Sequence, residues 1–369
     1  MNKNTKIFIC CTEQSGDNIA YNILKRIKLD NIQVDGVCGS KAEKFYHNKY
    51  YDIRDFKAMG IFEVIFSLKN YINKINFLAN KIMTNKYDLI ITIDSPDFNY
   101  QLVKKIRKYK FSKNIVHIVA PTVWAWRPQR AKKFSIIYDE ILTLFKFEES
   151  FFNKHGLKTS FIGHPIFHIK PQTKNNTKNF ISFLPGSREK EINTLLPYYE
   201  IAYKFLIETN SNYKIFIPTL PHLKNIIINK TKHWKIKTIV LTDIDEIEKY
   251  FDKVYISITC SGTAAIEIAK RNIPQLVIYK FNFFTIIMIK LFVKVKFANL
   301  FNIFANKMII PELVNFNLTK KNFIKEFKSL INDKERNNLQ ILDINKNIFN
   351  FESDVSPYDI SVKKIMKFL

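Results

Sequence analysis

The chain has 369 residues, of which 47% are hydrophobic, and it carries a formal net charge of +25 at pH 7. This length exceeds one ordinary core and indicates two domains, while the apolar share excludes global disorder. The positive charge favours anionic partners: nucleic acid, an anionic membrane surface or phosphorylated substrates. Because no recognition helix, zinc-ligand spacing or aromatic RNA-binding motif is found, no nucleic-acid partner is expected, and anionic lipid with a phosphorylated substrate explains the charge better.

Cysteine usage and hydropathy narrow the class of protein further. None of the four cysteines forms a C-x-x-C pair, which argues against a zinc site and a disulfide framework and favours a reducing compartment. The apolar run over residues 7–11 is too short for a signal peptide. The most apolar later stretch, residues 281–297, is interrupted by Lys290, Lys294 and Lys296, so no membrane-spanning segment is expected.

Short apolar runs alternate with segments of helical period along the whole chain. The predicted strands of the first half are residues 6–11, 33–39, 87–94, 114–120, 140–145 and 160–165. Those of the second half are residues 180–185, 214–218, 237–241, 254–259 and 274–279. Helices are predicted between them, including residues 18–29 and 61–83. This alternation is typical of an α/β fold with parallel sheets.

The alternation is interrupted by one polar, aperiodic stretch, residues 170–179. We therefore predict two Rossmann-like parallel-sheet domains, residues 1–169 and 180–350, which are joined by this linker and face each other across a cleft. A C-terminal helix within residues 351–369 is expected, and it could pack back on the first domain. In such an architecture, ligands bind at the carboxyl ends of the strands.

The loop after the first predicted strand, "CTEQSGD", contains Ser15, Gly16 and Asp17. Ser15 can cap the next helix, Gly16 permits a turn, and Asp17 falls in the first helical turn. Capping alone explains these residues; the alternative is a loop that lines the cleft. Because the chain has no G-x-G-x-x-G, a dinucleotide-binding fold of the dehydrogenase type is not supported.

Two carboxylates, Asp94 and Asp97, follow the third predicted strand in "IDSPDFN". A carboxylate at the end of a strand is costly unless it is solvated or used, and one of these could be a general base towards a hydroxyl. The alternative is structural, with Asp97 as a helix cap and Asp94 in an Asx-turn.

The turn after the fourth predicted strand, "APTVWAWRPQR", contains Trp124, Trp126, Arg127 and Arg130. It offers apolar ring faces next to planar cations, which suits a ligand with both acyl chains and a phosphate. Core packing is the alternative. Further along, His164 of "GHP" is either a buried hinge residue or a ligand in the cleft.

The second half begins with "LPGSREKEI", which places Gly186, Ser187 and Arg188 at a helix start. Free backbone N–H groups and a guanidinium at that position would form an anion site. A serine-capped helix is the alternative.

Later in this half, "CSGTAAIEIA" repeats the pattern with Ser261, Gly262 and Thr263, and Glu267 could hold ribose hydroxyls. A solvated surface role is the alternative for Glu267. Two helix N-termini that could each bind an anion favour a nucleoside diphosphate as the ligand more strongly than one such N-terminus would. Asn302 and Glu312 are expected near the same edge.

In chain order, the strings "SGD", "MGI", "DSPDFN", "APTVWAWR", "GHP", "LPGSRxxEI", "SGTAA" and "PEL" resemble those of the lipid-A-disaccharide synthase family. The resemblance runs from about residue 7 to residue 315. It departs from the family pattern where Thr12 replaces a glycine, Phe301 replaces a proline, and Asn315 replaces a glutamine. These three departures affect local contacts that the resemblance implies for the glycosyl donor.

The resemblance implies a two-domain GT-B glycosyltransferase with no cofactor and no metal. It would transfer diacylglucosamine from UDP-diacylglucosamine to the 6-hydroxyl of diacylglucosamine 1-phosphate (lipid X), with Asp97 as base and Asp17 as second candidate. The implied donor residues are Gly186, Ser187, Arg188, Ser261, Gly262, Thr263, Glu267, Asn302 and Glu312. The implied acceptor or lipid residues are Ser15, Trp124, Trp126, Arg127, Arg130 and His164. Two rival functions are a UDP-sugar 2-epimerase and a non-catalytic basic protein that binds lipid or nucleic acid.

Since both implied substrates are acylated, the enzyme is expected on the cytoplasmic face of the inner membrane, and a homodimer is left open. Two segments mix apolar and basic residues and could contact an anionic surface: 61–83, with Lys69, Lys74 and Lys81, and 283–297. Packing of both segments in the core is the alternative.

Overall fold

The computed structural model describes residues 5–28, 31–56, 64–168, 177–260, 262–281, 286 and 296–369, with only the backbone for residues 64–68. The chain divides into two compact units. Unit 1 comprises Met1–His168 and Asn350–Leu369, and unit 2 comprises Ile169–Phe349.

Unit 1 is built on a seven-stranded parallel sheet. Its strands are β1 (Thr5–Cys11), β2 (Ile32–Cys38), β3 (Asn48–Asp52), β4 (Leu89–Ile93), β5 (Asn114–Ile118), β6 (Glu140–Thr143) and β7 (Lys158–Phe161). They lie in the order β3-β2-β1-β4-β5-β6-β7. The helices between them are α1 (Gln14–Leu24), α2 (Val64–Asn85), α3 (Pro96–Lys108), α4 (Arg130–Ser135) and α5 (Glu149–Asn153).

Unit 2 is built on a six-stranded parallel sheet. Its strands are β8 (Phe180–Leu184), β9 (Lys214–Pro218), β10 (Thr238–Leu241), β11 (Val254–Cys260), β12 (Gln275–Tyr279) and β13 (Glu312–Val314). They lie in the order β10-β9-β8-β11-β12-β13. Its helices are α6 (Glu189–Glu208), α7 (Lys224–Thr231), α8 (Ile244–Phe251), α9 (Thr263–Lys270), α10 (Leu300–Ala305), α11 (Lys320–Asn332) and α12 (Lys334–Asn347).

The central strands are continuous apolar runs because both faces of each sheet are covered. All five residues of β4 are buried, and apolar clusters pack on either side of the unit 1 sheet. Unit 2 shows the same arrangement around β8. A strand that is buried on both faces offers no side chain to solvent, and its few polar residues, such as Thr92 and Ser182, bond to other buried groups, so side chains that can meet a ligand are found at the strand ends.

The predicted α/β class with two parallel sheets is confirmed. The sequence patterns missed two edge strands: β3 is polar and only partly buried, and β13 has three residues. The first helix, which was expected over residues 18–29, begins at Gln14 and ends at Leu24. Ser15 therefore lies inside this helix, and the expectation that it caps the helix is wrong.

The last helix, α13 (Pro357–Ile365), packs on unit 1 beside α1. The Arg26 guanidinium lies 2.9 Å from the Asp359 carboxylate and 5.0 Å from the centroid of the Tyr358 ring. Lys364 donates a 2.7 Å hydrogen bond to the Ser160 hydroxyl at the other edge of the helix. Apolar burial of Ile365 completes this contact.

The returning chain is held against the "GHP" segment. The Ser353 hydroxyl donates to the carbonyl oxygen of Ile162 at 2.7 Å, and the N–H of His164 donates to the carbonyl oxygen of Phe351 at 2.7 Å. Gly163 has a φ of +85°, and a Cβ there would lie 2.3 Å from the Ser353 Oγ. Only glycine fits both the backbone conformation and this close approach.

This packing predicts a difference between two glycine substitutions. Gly156 also has a positive φ, +77°, but its Cβ position meets none of the residues that the structure describes within 4 Å. Both Gly163→Ala and Gly156→Ala should lose ~1 kcal/mol from the left-handed backbone, and Gly163→Ala should lose a further 1–3 kcal/mol, roughly, from overpacking. Urea unfolding followed by tryptophan fluorescence in a Trp234→Phe background, which isolates unit 1, measures both values. Equal losses would show that the Ser353 contact adjusts without cost.

Candidate active site

The carboxyl ends of β1 and β4 form the topological switch point of unit 1. These two strands are neighbours in the sheet, and the strands that follow each of them in the chain are added towards opposite edges of the sheet. Ligands bind at such points in open α/β sheets. Four polar side chains meet there. The Ser15 hydroxyl donates to Asp94 Oδ2 at 2.6 Å, and the Ser95 hydroxyl donates to Glu13 Oε1 at 2.9 Å.

The backbone is strained at this switch point. Asp94 and Ser95 are consecutive non-glycine residues with φ of +56° and +45°. Each costs ~1 kcal/mol or more, and such strain persists where the surroundings hold it, often at functional sites. The surroundings here include the Ser95 N–H, which donates to Asp94 Oδ1 at 2.8 Å, and the Asn99 side chain, which donates to the Asp94 carbonyl at 2.7 Å.

Asp17 is fully buried beneath the loop that follows β2. Its Oδ1 accepts the N–H groups of Gly39 at 2.8 Å and Ala42 at 3.3 Å, and its Oδ2 accepts that of Lys41 at 3.1 Å. A carboxylate that accepts three backbone donors positions a loop. This geometry gives the second candidate base a structural role.

Asp97, by contrast, lies in the first turn of α3 with 73% of its side chain exposed. Its Oδ1 is ion-paired with Arg130 and lies 3.8 Å from Arg127 Nη1. These groups border a cavity of about 250 Å³ between α3 and α4. The lining residues are Pro96, Asp97, Tyr100, Gln101, Arg127, Gln129, Arg130, Lys133 and Phe134. The structure therefore brings Asp97, Arg127 and Arg130 together.

The two tryptophans of the preceding turn have different surroundings. The Trp124 indole N–H donates to Glu148 Oε1 at 3.2 Å, and burial raises the pKa of the Glu148 carboxyl to about 8. Trp126 is 38% exposed, and the Arg127 guanidinium lies 4.7 Å from its ring centroid. Trp124 thus fits the packing alternative, whereas Trp126 presents its ring at the surface beside Arg127.

His164 is packed among aromatic rings. Its imidazole stacks on Phe145 with a centroid distance of 5.9 Å, and its Nδ1 accepts the Ile166 N–H at 3.3 Å. Burial lowers the pKa of this imidazole to about 4. A neutral imidazole that stacks on a neighbouring aromatic ring fits the interpretation of His164 as a buried hinge residue.

Unit 2 has its own switch point between β8 and β11, and the helix starts at 186–188 and 262–263 follow these two strands. The expectation of free N–H groups at 186–188 is wrong, because Glu191 Oε2 accepts the N–H of Ser187 at 2.9 Å and that of Arg188 at 3.2 Å. A Cβ at Gly186 would lie 2.4 Å from the same oxygen. The chain's own carboxylate therefore occupies the expected anion cradle.

The Arg188 side chain is 78% exposed, and its Nη1 lies 3.5 Å from Glu191 Oε1. It borders a second cavity, of about 480 Å³, at this edge of the sheet. The lining residues are Arg188, Lys190, Glu191, Thr194, Tyr279, Lys280, Phe281, Ile286, Asn315 and Phe316. Lys280 and Glu191 are members that the sequence patterns had not singled out as site residues.

The second helix start is more open than the first. Gly262 has a φ of +123°, and its Cβ position meets no described residue within 4 Å, while Thr263 is exposed. Ser261 lies outside the described residues. Glu267 is partly buried and lies 3.1 Å from Arg271 Nη2; burial raises the pKa of the Glu267 carboxyl against the opposing effect of that guanidinium. Glu267 is therefore not a freely solvated surface residue.

Asn302 and Glu312 organise the chain between β12 and β13. The Asn302 Oδ1 accepts the N–H groups of Ile309 and Ile310, each at 2.8 Å, and its Nδ2 donates to the Ile310 carbonyl at 2.7 Å. The same Nδ2 lies 3.2 Å from Glu312 Oε2, which also accepts the Asn299 N–H at 2.8 Å. These internal bonds leave Asn302 fully buried. A direct ligand contact from Asn302 is not supported.

Among the residues that the structure describes, no group of three or more His, Cys, Asp or Glu side chains could hold a metal ion. In that same part of the chain, no helix is long and apolar enough to cross a membrane.

The two parallel α/β units have the architecture of the GT-B class. The structures of a UDP-GlcNAc 2-epimerase from Neisseria meningitidis and of MurG from Acinetobacter baumannii share this fold with TM-scores of 0.61 and 0.60. The first is 14% identical, over 98% of this chain and 99% of the other, and the second 11%, over 99% of each.

Sequence comparison is more specific than the fold. The family model described as lipid-A-disaccharide synthetase matches residues 7–356. The lipid-A-disaccharide synthase of Rickettsia typhi is 30% identical over 385 aligned positions, which cover 98% of each chain. The chain belongs to the lipid-A-disaccharide synthase family and is a glycosyltransferase.

The contrast between the two aspartates can be tested through stability. Asp17→Asn should lower the free energy of unfolding of unit 1 by about 2 kcal/mol, because an amide nitrogen would face N–H donors that now bond to a charged group. Asp97→Asn should change it by ~0.5 kcal/mol or less, since exposed ion pairs contribute little. Urea unfolding measures both. An Asp17→Asn variant with full stability and no turnover would instead give Asp17 the catalytic role.

Proposed function

We propose that the protein transfers 2,3-diacylglucosamine from UDP-2,3-diacylglucosamine to the 6-hydroxyl of 2,3-diacylglucosamine 1-phosphate (lipid X). The products would be the β-1,6-linked disaccharide 1-phosphate and UDP. The observation that carries this proposal is the position of Asp97, an exposed carboxylate on the rim of a cationic cavity, in a chain that matches the family over residues 7–356.

In the proposed mechanism, Asp97 takes the proton of the acceptor 6-hydroxyl. The hydroxyl oxygen attacks the anomeric carbon on the face opposite the diphosphate, so the new bond has inverted configuration. The bond from the anomeric carbon to the β-phosphate oxygen breaks, and UDP leaves with its electron pair. Asp94 is a poorer candidate because both of its oxygens already accept hydrogen bonds, from Ser15 and Ser95.

The donor diphosphate is proposed to bind where α6 and α9 begin. Since Glu191 occupies the backbone donors of Ser187 and Arg188, the negative charge of the leaving group would be balanced by the Arg188 and Lys280 side chains. The open start of α9 at Gly262 and Thr263 would admit a phosphate oxygen. Glu267 would receive the ribose hydroxyls on the same side.

The acceptor is proposed to lie on unit 1. The exposed face of Trp126 would contact an apolar part of the acceptor, and Arg127 and Arg130 would face its phosphate. Trp124 and His164 would act indirectly, because both side chains are engaged inside the protein.

The proposed base is tested by Asp97→Asn. Loss of a general base should lower kcat by about 10²-fold or more while UDP affinity stays unchanged. The assay is formation of the disaccharide from UDP-diacylglucosamine with and without lipid X, and calorimetry measures UDP binding. Near-normal turnover in Asp97→Asn would remove the base assignment. Epimerised UDP-sugar formed in the absence of lipid X would favour the 2-epimerase instead.

We also propose that the protein visits an anionic membrane surface from the cytoplasm. Of the two expected segments, residues 61–63 and most of 283–297 lie outside the described residues. In α2, Lys74 is buried against the Tyr51 and Phe56 rings and cannot serve, whereas Lys69, Ile72 and Lys81 are exposed.

Binding to vesicles tests this surface. Co-sedimentation with anionic vesicles should fall with added salt, because basic residues contribute roughly 1 kcal/mol each near such a surface. Ile72→Ser should weaken binding at every salt concentration, while Ile136→Ser, at a more exposed isoleucine outside α2, serves as the control and should not. Protein that stays in the supernatant at low salt would contradict the membrane proposal.

A further inference from the structure

The cavity between α3 and α4 contains more positive charge than the proposed base can balance. Arg127, Arg130 and Lys133 line it, and Asp97 is the one acidic residue among the described residues that line it. The local excess of two positive charges matches a phosphomonoester, which carries about −1.5 to −2 at neutral pH. The volume of about 250 Å³ admits a phosphate and part of a sugar ring.

The side chains are arranged along the cavity in two tiers. Asp97, Arg127 and Arg130 meet at one end. Lys133 lies three residues after Arg130 on α4, and Tyr100 lies three residues after Asp97 on α3, so both belong to the next helical turn. One turn is ~5.4 Å along each helix, a distance that a single sugar ring can span.

Aromatic packing fixes the floor of this cavity. The Tyr100 and Phe134 rings stack with their centroids 5.4 Å apart, and Phe134 is itself buried against Tyr138 at 5.0 Å. This stacking joins α3 to α4 beneath the cationic side chains.

We propose that this cavity is the subsite for the phosphomonoester of the acceptor, with Lys133 as an additional recognition residue. The inference rests on the proposed function. In the free protein, Arg130 is ion-paired with Asp97 Oδ1. The incoming phosphate competes for Arg130 and Lys133, and Asp97 is thereby released to accept the proton of the 6-hydroxyl. One group on the acceptor thus provides both recognition and activation of the base.

The test compares Lys133→Gln with Lys132→Gln, a neighbouring exposed lysine that does not line the cavity. Transfer is measured with lipid X and with its 1-dephosphorylated counterpart. Wild type should prefer the phosphorylated acceptor by at least about 10²-fold in kcat/KM, and Lys133→Gln should reduce that preference by about tenfold, mostly through KM. Lys132→Gln should behave as wild type.

Release of the base has its own readout. Millimolar inorganic phosphate should accelerate transfer to the dephosphorylated acceptor in wild type and in Lys132→Gln, and much less in Lys133→Gln. Absence of this rescue in wild type would overturn the coupling between phosphate binding and Asp97. Equal acceptor preferences in Lys133→Gln and Lys132→Gln would overturn the subsite.

A binding experiment separates failure of the subsite from failure of the proposed function. Calorimetry with glucosamine 1-phosphate and with glucosamine needs no transfer. If wild type forms no disaccharide but binds glucosamine 1-phosphate in a Lys133-dependent way, the subsite stands and the proposed reaction falls. If disaccharide forms while glucosamine 1-phosphate and glucosamine bind equally, the reaction stands and the subsite falls.

Discussion

The burial of both faces of each parallel sheet is the constraint on which the remaining features depend. All five residues of β4 are buried, so the chain can expose a polar side chain to solvent only after Ile93. It does so at once, with Asp94 and Ser95 in left-handed conformations that turn the backbone into α3. This turn places Asp97 in the first exposed helical position opposite Arg130.

Unit 2 meets the same constraint with a different solution. The buried strand β8 ends at Leu184, and the first polar contacts are made by Glu191, which bonds back to the N–H groups of Ser187 and Arg188. The positive end of the helix dipole of α6 is therefore neutralised by a carboxylate of the same helix. In the proposed donor site, recognition of an anion at this edge passes from the backbone to exposed side chains such as Arg188. Exposed side chains exchange partners at lower cost than a rigid backbone cradle does.

The architecture could be predicted from the sequence because buried parallel strands are continuous apolar runs. Edge strands could not: β3 reads "NKYYD", with tyrosines that pack on one face only. The hydrogen-bond partners of the polar residues could not be predicted from the sequence either. Asp17 bonds to N–H groups 22 to 25 residues away, and Trp124 bonds to Glu148, 24 residues along the chain.

One internal partner could have been found from the sequence. A glutamate three residues after a helix N-cap is a known capping signal, and Glu191 stands in this relation to Arg188. The competing prediction, an open phosphate cradle, relied on the same glycine and helix start. The two alternatives differ only in where one carboxylate points, which spacing does not determine. The cluster of Asp97 with Lys133 was hidden for a similar reason, since it joins two helices that are separate in the sequence.

The return of the chain to unit 1 also has a consequence for the order of events during synthesis. Unit 2 is one uninterrupted stretch, whereas unit 1 includes the last twenty residues, Asn350–Leu369. Ser353 and α13 are synthesised after the whole of unit 2, although they bury surface on α1 and on the Gly163 turn, which precede unit 2 in the chain. That surface of the nascent unit 1 therefore stays uncovered until residues 350–369 have been made. Loss of residues 350–369 would damage unit 1, whose other residues precede all of unit 2 in the sequence.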